Sequence, residues 1–307
     1  MFASLFPLVV LVLLGYLAIR TGRVSQSTIS ELSKITFSWL FPLFLFINIA
    51  QANLSGVLSY SVFLTFYGAV FITFLFTYLV SPRVFKKVNE SRAVFALGST
   101  YSNTVIVGLP ILISLISPNV TALVFLIISF HSAMLFAATS FFTSVTTNKT
   151  FDVKSFLLEL CKNPLLVGIY AGLLMNLTGM DFPEFISSSL HLMTKPALTL
   201  ALFILGANLY QYRLAGSYGQ IATASIIKLI LLPLFTLLLA HEVFQLSQNL
   251  VLTLVVLTAC PTGVNAYIVA CQQNHGQSVV AGTVVMSTLL SVITIPAWLL
   301  ILEYGVF

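Results

Sequence analysis

The chain has 307 residues, of which 59% are hydrophobic and only 7% charged, against about 25% charged in a typical soluble domain. So few charges cannot cover a water-exposed surface, and lipid is therefore the expected solvent for most of the chain. The net charge of +5 is scattered, with no basic run longer than Lys86-Lys87, which argues against nucleic acid as a partner. The three cysteines are too few for a disulfide framework and read as free thiols.

The first apolar run, residues 5–19, does not read as a signal peptide. Arg20 and Arg23 follow it instead of preceding it, and no small-x-small cleavage site ends it. It is expected to be a spanning helix that enters from outside. Nine further apolar runs follow, at residues 35–50, 57–80, 93–116, 120–142, 164–177, 190–209, 221–240, 250–271 and 279–302. The first and sixth are the shortest, so their ends are expected to reach into flanking polar residues. Turn-forming residues separate the runs, among them Thr21-Gly22, Ser81-Pro82, Ser117-Pro118-Asn119, Asp181-Phe182-Pro183 and Asn274-His275-Gly276.

Loop charges orient this map. Of the thirteen Lys and Arg, all but Lys195 and Lys228 fall in loops that follow odd-numbered spans. Asp181, Glu184, Glu242 and Glu303 mark the other side. The positive-inside rule then makes the basic loops cytoplasmic and both termini extracytoplasmic, in a multi-pass protein of the plasma (inner) membrane.

Residues 7–22 (PLVVLVLLGYLAIRTG) and 164–179 (PLLVGIYAGLLMNLTG) align without gaps, and seven of the sixteen positions are identical. Shared membrane composition supplies Leu and Val matches, but not Pro, Gly15 with Gly172, and a closing Thr-Gly in register. The match divides the chain into a first five-helix repeat (1–142), a cytoplasmic linker (143–163) and a second repeat (164–307). Five spans is an odd number, so the second copy inserts upside down. Inverted repeats of this kind characterise secondary transporters, whose substrate site lies near the midplane between the halves.

The fourth span of each repeat is unusual. GSTYSNTVIVGLP (98–110) and TACPTGVNAYIVA (258–270) both place an amide, small hydroxyl residues, Gly and Pro at bilayer depth. Gly108, Pro110 and Pro261 are the expected helix-breaking residues. Such residues often only kink a membrane helix, but two in equivalent positions point to a site. Backbone freed at a break is tolerated in a membrane only where protein or an aqueous cavity receives it, and a half-helix N-terminus favours an anion.

Asn103 and Asn265 sit beside the predicted breaks and can donate to a carboxylate, or else bond structurally between helices. Thr104, Pro261, Thr262 and Gly263 are expected to line the same place. Lys228 lies mid-span, where a charge is costly and usually functional. It can touch substrate, titrate, or serve as counter-charge to the carbonyls of an unwound helix end.

Asn103-Thr104 followed by Gly108-Leu109-Pro110 resembles the Asn-Thr…Gly-Ile-Pro of the auxin efflux carrier family, which includes plant PIN-formed exporters and bacterial malonate-type carriers. Gly206-Ala207, Pro261-Thr262 and STLLSVITIP (287–296) resemble the same family, so the likeness runs nearly end to end. It implies an all-α integral membrane protein of ten transmembrane helices, built as two inverted five-helix repeats. The fourth and ninth would be broken and crossing, as in bile-acid/sodium symporters. Spans one, two, six and seven would form a scaffold that also makes a homodimer. Spans three to five and eight to ten would form a transport core moving as an elevator. In plant members the residue before the crossover asparagine is proline. Here it is Ser102, which leaves Gly108 and Pro110 to make the fourth break.

His131 occupies the place where plant relatives carry a Trp-Tyr pair, before a run like SAMLF (132–136). The likeness makes it a substrate contact or proton carrier, although a lone membrane histidine is more often a packing residue.

No Asp or Glu falls inside a predicted span, and Glu303 sits at the very end of the last. Carboxylate proton relays therefore have no raw material, and sodium coordination would need carbonyls, amides and hydroxyls. No HExxH, Gly-x-Ser-x-Gly or P-loop pattern is present, so neither an enzyme nor an ATP-driven pump is expected, and no cofactor or metal is implied. The expected function is carriage of a small organic anion, a mono- or dicarboxylate or an auxin-like acid. The alternatives are an ion-coupled symporter of another solute class on the same fold, or a channel.

Overall fold

The computed structural model describes residues 2–54, 59–85, 91–115, 118–147, 153–180, 182–211 and 217–304. The loop residues Lys86, Lys87, Lys149, Asp181 and Arg213, and Ser117 of a predicted turn, lie outside them.

Among the described residues all regular structure is helical. In chain order the helices are α1 (Phe2–Arg20), α2 (Gln26–Ala50), α3 (Tyr60–Val84), α4 (Arg92–Thr100), α5 (Thr104–Leu115), α6 (Pro118–Thr147) and α7 (Val153–Lys162). They continue as α8 (Pro164–Thr178), α9 (Glu184–Tyr210), α10 (Tyr218–Val243), α11 (Gln248–Ala259), α12 (Asn265–Gln273) and α13 (Gln277–Tyr304). Six of these, α2, α3, α6, α9, α10 and α13, are long and apolar enough to cross a membrane. Helices α1, α5, α8 and α11 are apolar but shorter. Part of the expected linker is itself a helix, α7, and α6 runs on into it as far as Thr147.

Three helices widen just before a proline. Phe41, Leu109 and Leu232 each donate to the carbonyl five residues back, those of Thr36, Thr104 and Ile227. The next residue is Pro42, Pro110 or Pro233 in turn. A proline inside a helix lacks the N–H that would reach four residues back, and its ring crowds that carbonyl. One widened π turn relieves the crowding without breaking the helix.

The chain divides into two compact units. The first comprises Met1–Val57, Ile113–Ser129 and Asp152–Gln211. It contains two helix pairs, α1 with the second part of α9 and the second part of α2 with α8. Glycines sit at both contacts. A Cβ on Gly15 would overlap the carbonyl of Phe203, and one on Gly206 would overlap the carbonyl of Val12. Gly168 and Gly172 press in the same way on the backbone of Pro42 and Phe46. Without a hydrophobic drive between helices in lipid, such close backbone approach is what gains van der Waals contact. Asn176 adds a polar tie, its Nδ2 lying 2.7–3.0 Å from the carbonyls of Ile49, Ala50 and Ala52 at the end of α2.

The second unit comprises Leu58–Leu112, Phe130–Phe151 and Tyr212–Phe307. Its centre is α4, buried over Ala93–Thr100 and packed against α3, α10, α12 and α13. Phe66, Phe74, Leu97 and Leu254 are among its fully enclosed apolar residues.

Candidate functional site

Helix α11 ends where its sequence requires. Pro261 has no N–H for the carbonyl of Leu257, and the residue before a proline avoids helical geometry. Cys260 accordingly turns extended, with φ −57° and ψ 149°. The chain re-enters a helix at Asn265.

The opposite interruption lies at Tyr101–Asn103, between α4 and α5, and not at Gly108 or Pro110. This corrects the expectation that those two make the fourth break. Pro110 is absorbed by the π turn that precedes it. Gly108 serves as a contact instead: a Cβ there would stand 3.1 Å from both Cys260 Sγ and a Leu257 methyl. The break is made by Ser102 and Asn103, whose short polar side chains favour caps over helix interiors. Asn103 is the N-cap of α5, and its Oδ1 accepts from the Ile106 N–H at 3.3 Å.

The two interruptions bond to each other. Asn103 N–H donates to the Pro261 carbonyl at 2.8 Å, and Gly263 N–H donates to the Tyr101 carbonyl at 3.0 Å. Ser102 and Thr262 thus face one another in an isolated antiparallel bridge. Their own N–H groups point away from the bridge and find side chains. Ser102 N–H donates to His131 Nε2 at 3.1 Å, and Thr262 N–H donates to Ser287 Oγ at 3.0 Å. The amides of the bridge are therefore satisfied by partners from elsewhere in the unit, as buried backbone requires.

Around the bridge the aromatic and polar groups are closely fitted. The Tyr101 ring stacks on His131 at 5.0 Å and on Phe136 at 5.3 Å. Its hydroxyl shares a 2.7 Å hydrogen bond with Ser132 Oγ and accepts from Asn265 Nδ2 at 3.4 Å. Gly263 lies against this ring, where a Cβ would stand 2.6 Å from Tyr101 Cε1. Thr262 Oγ1 donates to the Gly98 carbonyl at 2.8 Å.

Asn103, Pro261, Thr262, Gly263, Asn265 and His131 are thus joined through one set of contacts. Thr104 opens α5 directly beside them and is buried. Lys228, fully buried on α10, directs its ammonium to the Thr258 carbonyl near the end of α11. Three polar groups here are buried without a partner: Ser102 Oγ, Asn103 Nδ2 and His131 Nδ1. Because His131 Nε2 accepts a backbone N–H, a neutral ring carries its proton on Nδ1. Nδ1 is then a free donor, as is Asn103 Nδ2, and buried unpaired donors suit an acceptor-rich solute.

Tyr101, Ser132 and Ser287 belong to this constellation but are not conspicuous in the sequence. Tyr101 carried the one available signal, a phenol at bilayer depth that must find a hydrogen-bond partner. All three cysteines are free thiols, with Cys260 buried beside the bridge and Cys161 and Cys271 exposed. Among the described residues no cluster of His, Cys, Asp or Glu could hold a metal ion.

Comparison with known proteins identifies the family. The family described as "Membrane transport protein" matches residues 1–299. The transporter YfdV, described as uncharacterized, of Escherichia coli K12 is 25% identical over 303 residues, covering 96% of each chain. Its counterparts in Escherichia coli O157:H7 and Shigella flexneri match equally well. The chain is an integral, multi-pass membrane protein, and it belongs to the membrane transport protein family, that of the auxin efflux carriers.

Proposed function

We propose that this protein is a secondary carrier for a small organic anion, and that the anion binds at the crossover of the two interrupted helices. The observation that carries the reading is the buried, unpartnered Nδ2 of Asn103 at the paired break. An amide donor left unpaired in a dry interior is costly, and a carboxylate oxygen would satisfy it. Asn265, Thr104, Thr262 and the backbone of Pro261 and Gly263 complete the proposed contact set, with His131 Nδ1 as a second donor. Lys228 supplies positive charge close by.

In this reading the ten spans form two inverted repeats, with the fourth and ninth as the crossing pair. Two features support it. The aligned glycines Gly15 and Gly172 both lie at close helix contacts, and both interruptions fall in the fourth span of a repeat. Spans one, two, six and seven would act as a scaffold and dimer interface. The remaining spans would carry the site across the membrane as an elevator; the grouping of α1, α2, α8 and α9 in one compact unit supports this division, although that unit also takes in Ile113–Ser129 of spans four and five. Both termini would be extracytoplasmic, in the plasma membrane.

Counterflow tests the reading. Purified protein in liposomes loaded with unlabelled malonate, acetate or indole-3-acetate should take up the same labelled acid faster than unloaded vesicles. Sodium, pH and voltage would be imposed separately to identify any coupling. Saturable flux with trans-stimulation supports a carrier, whereas flux without it indicates a channel. Failure of every carboxylate, with transport of a cation or neutral solute, would overturn the anion reading.

A further inference from the structure

The crossover contains two equivalent carbonyls that have lost their helical partners. Gly98 lies four residues before Ser102, and Thr258 lies four residues before Thr262. Both N–H groups that would normally return to them are spent on His131 and Ser287. The Gly98 carbonyl is capped across the bridge by Thr262 Oγ1. The local two-fold relation of an antiparallel bridge makes Ser102 Oγ the matching donor for the Thr258 carbonyl. That bond is not made. Lys228 Nζ takes the carbonyl instead, and Ser102 Oγ, on a residue only 1% exposed, has no partner.

We propose that the Thr258 carbonyl is shared by two donors in turn: Lys228 holds it in this structure, and Ser102 takes it when the ammonium turns to a bound anion. The proposal rests on the reading that the crossover binds an organic anion, and it names the source of the countercharge. A buried ammonium is held more strongly by a carboxylate than by one neutral carbonyl, and no acidic residue lies within the ten apolar runs to offer one. Departure of Lys228 would strand the carbonyl in a dry interior, which is unfavourable unless another donor is ready. Ser102 is that donor, which gives a role to a buried hydroxyl that has no partner in this structure. The exchange supplies charge to the anion with no ion drawn from solution.

Thermal unfolding in detergent and malonate binding, measured on wild type, Ser102→Ala, Lys228→Met and the double variant, test the proposal. Without ligand, Ser102→Ala should unfold at the wild-type temperature, because its hydroxyl has no partner there. The double variant should unfold several degrees below Lys228→Met, in which Ser102 is free to cap Thr258. With malonate, Ser102→Ala should bind several-fold more weakly and Lys228→Met about tenfold or more. Equal effects of Ser102→Ala in both backgrounds, with unchanged malonate affinity, would make Lys228 a permanent cap and overturn the exchange. If Lys228→Met does not fold, the affinity of Ser102→Ala decides alone. Where Asn103→Ala and Asn265→Ala also leave affinity unchanged, the crossover reading itself fails.

Discussion

Asn103 N–H donates to the carbonyl of Pro261 at 2.8 Å, so two helices that each lose regular bonding at this point are joined to one another there. The free backbone of one break is the partner of the other. Neither break is stable alone in a membrane, since unsatisfied amides there cost several kcal/mol each, about the penalty of full desolvation.

The bond from Thr262 Oγ1 to the Gly98 carbonyl predicts a sharp difference between two conservative changes. Thr262→Val keeps the shape but strands the carbonyl, at a cost of about 1–3 kcal/mol. Thr262→Ser keeps the donor. Unfolding temperature in detergent should fall by several degrees for the valine variant and by much less for serine.

Much of this organisation is legible in the sequence. Sparse charge gives the solvent, and apolar runs place the helices, although Gln26–Ala50 and Glu184–Tyr210 start earlier than their runs because polar residues join the first turns. The break at α11 follows from Pro261, a local cause. The break between α4 and α5 does not follow from local chemistry alone, because Ser102 and Asn103, which only favour a cap, are held open by His131 and Pro261, far along the chain. Local chemistry nominated Gly108 and Pro110, yet a proline can be taken up by a π turn, a tertiary choice that no short window reveals. The pairing of His131 with Ser102 and of Ser287 with Thr262 is hidden for the same reason.

Those two pairings give a second prediction. His131→Phe and Ser287→Ala each remove the acceptor of one buried bridge N–H. Hydrogen exchange read by mass spectrometry should accelerate in the peptide holding Ser102 for the first variant, and in that holding Thr262 for the second. His131→Gln, which offers a carbonyl acceptor, should restore part of the protection.

The glycine contacts of the first unit give a third. Gly206→Ala and Gly15→Ala place a methyl group into the backbone of the facing helix, and such overpacking typically costs about 1–3 kcal/mol. Gly68→Ala is the matching control, since its Cβ would sit 3.6 Å from a Leu239 methyl, an ordinary contact. The yield of monodisperse protein on size-exclusion chromatography should drop for the first two variants and hold for the third.

Gly263 separates fold from site. A Cβ there would collide with the Tyr101 ring, which also carries the contacts to His131, Ser132 and Asn265. Gly263→Ala should therefore impair uptake more than it lowers unfolding temperature, relative to Gly206→Ala. Equal rankings of the two variants in both measurements would show that the fit around Tyr101 matters only for folding.

The most direct measurement is the initial rate of labelled malonate and indole-3-acetate uptake into proteoliposomes by wild type and Asn103→Ala at matched protein density. Loss of a hydrogen bond to a charged group, about 1.5–3 kcal/mol, predicts at least a tenfold fall in uptake at low substrate concentration, with the variant still folded. Saturable uptake of the same acid, undiminished in Asn103→Ala and in Asn265→Ala alike, would contradict an anion site at the crossover.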